Sequence, residues 1–278
     1  MKNRISRLLE PAVTIPEDRK IFTNTALKTM ILPLFFEQLL EVLVGVADTF
    51  MVSYAGEAAV SGVSLVNMFN TVFIFLFSAL ASGGAVVVSQ YIGSRDRKNG
   101  CLSASQLVMV SLVFSLGMML SVLALNRYLL RLLFGEVEPA VMEACETYLR
   151  ISAYSYPAIA LYNAGAAIYR SMGKTSVTMY LSAASNIINI AGNAVGVFVL
   201  HAGVAGVAYP SLIARSFAAL VILALCFRKK NTVFLRWNQI LCWKGSMIRR
   251  ILGIAVPNGI ENGLFQLVKV ALSSITAL

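Results

Sequence analysis

The chain has 278 residues, of which 58% are hydrophobic and 13% charged, and its formal net charge is +10. Soluble domains carry about 25% charged residues and cannot bury this much apolar surface in one core, so a water-soluble fold is excluded. The apolar runs are also too long and continuous for the alternating strands of a membrane β-barrel. The sequence therefore predicts an all-α membrane protein.

Other classes of function find little support in the composition. The basic residues stand in short clusters between apolar runs without interleaved aromatic residues, which argues against nucleic-acid binding. The four cysteines form no CxxC pair and His201 is the only histidine, so we expect no stable metal site and no cofactor. The N-terminal segment is basic and polar without an apolar core, unlike a cleaved signal peptide.

Seven membrane spans are predicted, since about 20 apolar residues cross a hydrocarbon core of about 30 Å. After a cytoplasmic N-terminal segment, 1–26, six spans form a bundle over 27–227, at 27–53, 59–82, 101–125, 147–169, 177–200 and 204–227. A basic linker, 228–249, contains Trp237 and Trp243 and is either a plain connector or an interfacial amphipathic helix. A seventh span follows at 250–278.

Every second connection between the spans is basic, as the positive-inside rule requires when the helix count is correct. The basic connections are the N-terminal segment, the turn at 95–98, the turn at 170–174 and the linker. We therefore predict a multi-pass protein of the cytoplasmic (inner) membrane with a cytoplasmic N-terminus.

Three carboxylates, Glu37, Glu41 and Asp48, lie in the first apolar run, where a central charge costs about 2.5–3.5 kcal/mol. At 100° per residue, Glu41 lies about 40° and Asp48 about 20° around the helix from Glu37, so one stripe carries all three. We expect this stripe to face an ion-accessible interior, unless Glu37 and Glu41 reach an interface. Because burial disfavours an ionised carboxyl, such a group can exchange a proton, a sodium ion or a cationic substrate. Asp48 is the leading candidate.

Polar residues in later spans are further candidates. Asn189 and Asn193, four residues apart, point to one side of their helix and could coordinate a cation or make interhelical hydrogen bonds. Glu261 in the seventh span is a second acidic candidate, with Lys269 two turns on as a possible charge partner. Arg215 in the sixth span is expected to pair with a carboxylate or to face a polar cavity.

Small residues and prolines predict how the spans pack and bend. Gly192 and Gly196 have the GxxxG spacing and Ala202 precedes Gly206 at the same interval, which predicts close helix contacts. Pro33, Pro157 and Pro257 are expected to bend their spans.

A short internal repeat indicates a second bundle. The runs LPLFFEQ at 32–38 and VPNGIEN at 256–262 both place glutamate four residues after proline, followed by an amide. Because transporters are commonly built from repeats, we expect a second six-helix bundle of which this chain contains only the first helix.

Together these segments resemble the multidrug and toxic compound extrusion (MATE) family. The resemblance is carried by VADTFMV at 46–52, GGAVVVSQYIGSRDR at 83–97, YRSMGKTSVTMYLSAASNIINIAGN at 169–193 and GVAGVAYPSLIAR at 203–215. It implies a 6+6 helix secondary transporter, not an enzyme, whose two bundles enclose a cleft that opens alternately to either side. It further implies export of organic cations in exchange for Na⁺ or H⁺, so the expected partners are lipid, small organic cations and the missing second bundle.

The resemblance also assigns roles to individual residues. Asp48 matches the aspartate held to bind the coupling cation, with transient sodium as its only metal, and Asn189 matches the fifth-helix asparagine. Asn193 stands where one branch of the family has aspartate, which puts the proton-only scheme of that branch in doubt. Glu261 lies about a turn earlier after its proline than the seventh-helix glutamate of the sodium-coupled branch.

Two alternatives remain open. A lipid-linked precursor flippase of the same superfamily would need a cleft rich in arginine and lysine, whereas the intramembrane charges here are mainly acidic. A membrane-embedded enzyme would need paired aspartate motifs at loop edges or a histidine inside a span, and the sequence has neither.

Overall fold

The computed structural model describes residues 24–135 and 137–276, with side chains for all of these except 24–26, 133, 262 and 265–276. Within these ranges the chain is α-helical, without strands. We number the described helices α1 Asn24–Ser53, α2 Glu57–Gly93, α3 Arg97–Phe134, α4 Pro139–Tyr154, α5 Tyr156–Ser171, α6 Thr175–Ala194, α7 Ala205–Cys226, α8 Trp237–Ile240 and α9 Gly245–Thr276. A π-helical turn, Val195–Val199, extends α6. The all-α fold class is confirmed.

Five of the described helices are individually long and apolar enough to cross a membrane: α1 to α3, α6 with its π-helical turn, and α7. The fourth predicted span is interrupted at Ser155, which separates α4 from α5. Pro157 explains the interruption, because it has no N–H to donate to the preceding helical turn. The seventh predicted span is α9, which begins at Gly245 rather than at 250.

The first bundle is organised around α2, which packs against α3, α4, α5 and α9. One apolar cluster fills the end where the linker docks and includes Leu107, Ile168 and Ile222, and a second fills the opposite end. By contrast, α1 is attached mainly along one flank, against α6, and much of its apolar surface is exposed. The contact between α1 and α6 therefore decides where the acidic residues of α1 lie.

Glycines allow a close approach between α6 and α7. A Cβ atom on Gly192 would lie 2.6 Å from the Cβ atom of Pro210, and one on Gly196 would overlap the carbonyl oxygen of Gly206. Backbones can approach this closely only where both helices carry small residues. The predicted close contact at this spacing is confirmed.

The linker is docked on the bundle. It follows an irregular path from 228 to 236, forms the single turn of α8 and meets α9 at Gly245. It buries Val233, Leu235 and Ile240 against the bundle. Of the two alternatives from the sequence, the structure shows a connector rather than an amphipathic helix, and this connector is held against the bundle with only one helical turn.

Candidate functional site

Asp48 lies toward the end of the bundle opposite the linker, in a hydrogen-bonded chain that joins three helices. Asn193 Nδ2 on α6 donates to Asp48 Oδ1 at 2.7 Å and to Asn189 Oδ1 at 3.2 Å. Asn189 Nδ2 in turn donates to Ser211 Oγ on α7 at 2.8 Å. Both asparagines are buried, whereas Asp48 is partly exposed. The structure thus brings Asp48, Asn189 and Asn193 together.

An outer cavity of about 110 Å³ adjoins the Asp48 carboxylate. Its polar lining comes from Asp48, Thr49, Ser64, Asn67 and Tyr148. Asn193 Oδ1, on the amide that binds Asp48, is buried without a hydrogen-bond partner among the described residues. A buried, unpaired acceptor beside a carboxylate is chemically suited to a cation, since oxygen ligands are what hard cations bind.

An inner cavity of about 420 Å³ lies closer to the linker, and five helices contribute to its wall. Glu37, Glu41, Arg170 and Arg215 supply its charged lining, together with polar residues such as Asn186. The intramembrane charges were expected to be mainly acidic. The wall instead carries two glutamates and two arginines, because helices distant in sequence place Arg170 and Arg215 opposite α1.

The stripe of three carboxylates on α1 is divided between these two cavities. Glu37 is buried and accepts hydrogen bonds from Arg170 Nη2 at 3.0 Å and from Thr178 Oγ1 at 3.0 Å. Glu41 is exposed, lines the inner cavity and accepts from Gln38 Nε2 at 3.2 Å. Glu37 therefore lies in the interior rather than at an interface, where its ion pair with Arg170 and its hydrogen bond with Thr178 tie α1 to α5 and α6.

Arg215 lies in the wall of the inner cavity and reaches the break between α4 and α5. Its Nη1 donates to Ser155 Oγ at 2.9 Å. The sequence predicted that Arg215 would either pair with a carboxylate or face a polar cavity, and the structure shows the polar cavity. Its hydrogen-bond partner is the hydroxyl group of Ser155.

Glu261, the acidic candidate in the seventh span, is not brought to Asp48. Glu261 is exposed on α9, which packs against α2 and α3. The side chain of Lys269 lies outside the described residues. The repeated Pro-x-x-x-Glu pattern therefore occupies two different environments in this chain.

Sequence reasoning missed Ser211, Arg170 and Thr178 as members of these polar sites. A signal existed for Ser211, which precedes Arg215 by one helical turn within an apolar run. Arg170 was interpreted only as a topological charge, and Thr178 has no distinguishing local pattern. No cluster of three or more His, Cys, Asp or Glu residues occurs in the described part of the chain.

Comparison with known proteins identifies the family. The MatE family profile matches residues 33–195. The "Uncharacterized transporter YisQ" of Bacillus subtilis is 28% identical over 93% of this chain and 59% of its own length. The "Probable multidrug resistance protein NorM" of Thermotoga maritima is 25% identical over 92% of this chain and 54% of its own length.

Solved structures show the same fold. A multidrug resistance MATE family transporter in an outward-facing conformation superposes with a TM-score of 0.83 at 21% identity, covering 90% of this chain and 55% of that one. An inward-facing MATE structure gives a TM-score of 0.73 at 22% identity, with 83% and 53% covered. The chain thus spans little more than half the length of the proteins it matches. Because the profile covers more than half of its residues, the chain belongs to the MatE family of membrane transporters.

Proposed function

We propose that this chain contains the first bundle, and the first helix of the second bundle, of a cation-coupled antiporter that exports organic cations, including drugs, across the cytoplasmic membrane by alternating access. The coupling ion is Na⁺ or H⁺, and the N-terminus is cytoplasmic. Membership of the MatE family, whose similar members include multidrug export proteins by name, supports the transport reaction. The Asp48 cluster supports the coupling.

The observation that carries the proposal is the hydrogen bond from Asn193 to Asp48 beside an unpaired amide oxygen. A cation that occupies Asp48 Oδ1 displaces this hydrogen bond. Rotation of the Asn193 amide then presents Oδ1 to the cation and satisfies the unpaired acceptor. Because α1 is attached to the bundle mainly through α6, occupancy of Asp48 controls the contact that positions α1.

The net charge around the outer cavity limits how many coupling ions it can bind. Among the described residues, Asp48 is the only carboxylate that lines the outer cavity, and the neighbouring asparagines are neutral. One proton or one sodium ion neutralises the site, whereas a second cation would be bound without a compensating charge. We therefore propose one coupling ion for this bundle.

The inner cavity supports transport of cations over lipid flipping. The Arg170 guanidinium forms a salt bridge with Glu37. Glu41 also lines the cavity, and it forms no salt bridge with any of the described residues. A lipid-linked pyrophosphate would need several uncommitted cations in one wall, and Arg215 alone has that character among the residues lining this cavity. Glu41 is instead available to an organic cation.

The proposal is tested by expressing the complete gene in a drug-sensitive host and measuring dye efflux for the wild type, Asp48→Asn and Glu143→Gln. Asparagine keeps a hydrogen-bond acceptor for Asn193 but cannot neutralise a cation, so we expect efflux to fall roughly tenfold or more at equal membrane level, in line with typical coupling energies. Glu143 is exposed on α4 and serves as the matched control, with efflux unchanged.

Inverted vesicles separate the two candidate ions. Either an imposed Na⁺ gradient or an imposed pH gradient should drive dye uptake by wild-type vesicles, and the effective gradient identifies the coupling ion. The same gradient should drive no uptake in vesicles that contain Asp48→Asn. Equal efflux by wild type and Asp48→Asn would remove the coupling role of this carboxylate.

A further inference from the structure

The linker between α7 and α9 is held by a buried amide of a membrane helix. Gln106 on α3 is 0% exposed, and its Nε2 donates to the carbonyl oxygens of Gln239 at 2.6 Å and Cys242 at 2.7 Å. Its Oε1 accepts from the backbone N–H of Lys244 at 2.9 Å. One side chain thus satisfies three backbone groups, and the path of the second half of the linker is fixed.

The side chain of Arg97 fixes the first half of the linker. Arg97 donates to the carbonyl oxygens of Thr232 at 3.2 Å, Asn231 at 3.2 Å and Lys229 at 3.3 Å. Asn231 is itself buried, and its Nδ2 donates to Tyr169 Oη at 3.1 Å. The outward side chains of the linker therefore form a preorganised surface.

This surface exposes large apolar side chains beside the membrane. Trp237 is 65% exposed, Leu241 83% and Trp243 62%. The linker connects the end of one membrane helix to the beginning of another, which places these side chains at the level of the lipid headgroups. Tryptophan is enriched at this level because its ring is apolar and its N–H is polar.

Basic side chains flank one of these apolar residues, Trp237. A cleft of about 840 Å³ is lined by Lys229, Arg236, Asn238 and Trp237, whose indole stacks on Phe227 at a centroid distance of 4.5 Å. The sequence from 228 to 260 contains no acidic residue that could neutralise these cations. A ligand for this cleft must bring negative charge and an adjoining apolar part.

We propose that this cleft binds an anionic phospholipid of the leaflet on the linker side, with its phosphate between Lys229 and Arg236. The glycerol and upper acyl region then pack against Trp237 and Leu241. A soluble phosphate would leave these apolar side chains uncovered, whereas a lipid supplies both parts and is already present at this depth. The proposal needs only that α7 and α9 enter the membrane, and it does not depend on antiport activity.

The two tryptophans of the linker are the only ones in the chain, so tryptophan fluorescence, excited selectively over that of tyrosine, reports on this surface alone. The 278-residue chain is reconstituted in nanodiscs of phosphatidylcholine with a minor fraction of phosphatidylglycerol. In one preparation the phosphatidylglycerol is brominated, and in the other an equal amount of phosphatidylcholine is brominated. Because electrostatic attraction enriches anionic lipid near clustered basic residues, we expect roughly twofold stronger quenching by brominated phosphatidylglycerol.

Charge-removal variants identify the cleft. In the double variant Lys229→Gln and Arg236→Gln the preference should disappear, while quenching by brominated phosphatidylcholine persists because the tryptophans still lie at the interface. The matched control, Arg127→Gln with Arg131→Gln, removes the same charge from the far end of α3 and should retain the preference. Equal quenching by the two lipids in the wild type would overturn the proposal. A preference that survives in the Lys229 and Arg236 variant would remove the assignment to this cleft.

Discussion

The crossing of α6 and α7 at Gly196 and Gly206 sets the geometry of the Asp48 cluster, and Gly206→Ala tests this directly. A Cβ atom at Gly206 would lie 2.6 Å from the carbonyl oxygen of Gly196. Since carbon and carbonyl oxygen approach to about 3.3 Å at closest, the two helices must separate by about 0.7 Å. The obstructing atom belongs to the backbone, so it cannot rotate away as a side chain would.

The energetic consequence follows from two terms. Overpacking a close contact costs about 1–3 kcal/mol, and a backbone obstacle places this case in the upper half of that range. Separation also stretches the 2.8 Å hydrogen bond from Asn189 to Ser211, which lies little more than one turn away along α7. Interhelical hydrogen bonds in membranes contribute about 0.6 kcal/mol on average. We expect Gly206→Ala to lower the free energy of unfolding by about 2–3 kcal/mol.

The assay is reversible unfolding of the purified chain in mild detergent, with Gly117→Ala as the control. Gly117 lies inside α3, and a Cβ atom there would meet nothing within 4 Å. Alanine at such a helical position should leave stability unchanged or raise it by about 0.5–1 kcal/mol. If Gly206→Ala unfolds at the same denaturant concentration as Gly117→Ala, the two helix backbones are not in contact, and the geometry derived for the site is wrong.

Three further perturbations address other parts of the bundle. Glu37→Gln removes the ion pair with Arg170 and should lower stability in detergent by about 1 kcal/mol, since the Arg170 side chain is 43% exposed and water partly screens its charge; an unchanged melting temperature would contradict this pairing. Asp96 caps α3 by accepting the backbone N–H of Asn99 at 3.1 Å, and this hydrogen bond holds the pKa of its carboxyl below the ordinary value of 3.8. The ionised Asp96 cap therefore stabilises the protein fully above pH 3.8, and this stabilisation is lost as pH falls through the lowered pKa of the folded protein. The melting temperatures of the wild type and Asp96→Ala should differ at pH 7, and this difference should shrink in acid. Gln106→Leu removes three hydrogen bonds of about 1 kcal/mol each, so tryptic cleavage of the linker should accelerate on the order of 100-fold, and an unchanged cleavage rate would show that other contacts hold the linker.

The pattern of apolar residues along the chain located the long membrane helices, but it missed the break at Ser155 that divides the fourth predicted span. Composition excluded a soluble fold, and the apolar runs located the membrane helices, because a lipid environment leaves few alternatives to a helix for satisfying the backbone. The four-residue spacing of Asn189 and Asn193 placed both amides on one side of α6, as observed. The spacing of Gly192 and Gly196 likewise predicted a close helix contact, which the structure shows against Pro210 and Gly206.

The spacing of residues along one helix could not predict which residue on another helix would be the partner of a given side chain. Glu37 and Asp48 share one stripe of α1, yet Glu37 is neutralised by Arg170 and Asp48 is held by Asn193. Helical periodicity specifies the direction of a side chain but not the axial offset or crossing angle of the neighbouring helix. The sequence therefore could not indicate which carboxylate would be paired.

The sequence by itself determined that this chain is a helical membrane protein, which face of each helix carries polar groups, and which family it resembles. The tertiary structure alone decided that the polar groups form two separate cavities, that Ser211 joins the Asp48 cluster, and that Gln106 fixes the linker. The physical reason is distance along the chain. Hydrophobicity and helical period describe the environment of a residue within a few positions along the chain. These hydrogen bonds join residues more than 20 positions apart, which only the packing of the helices brings together.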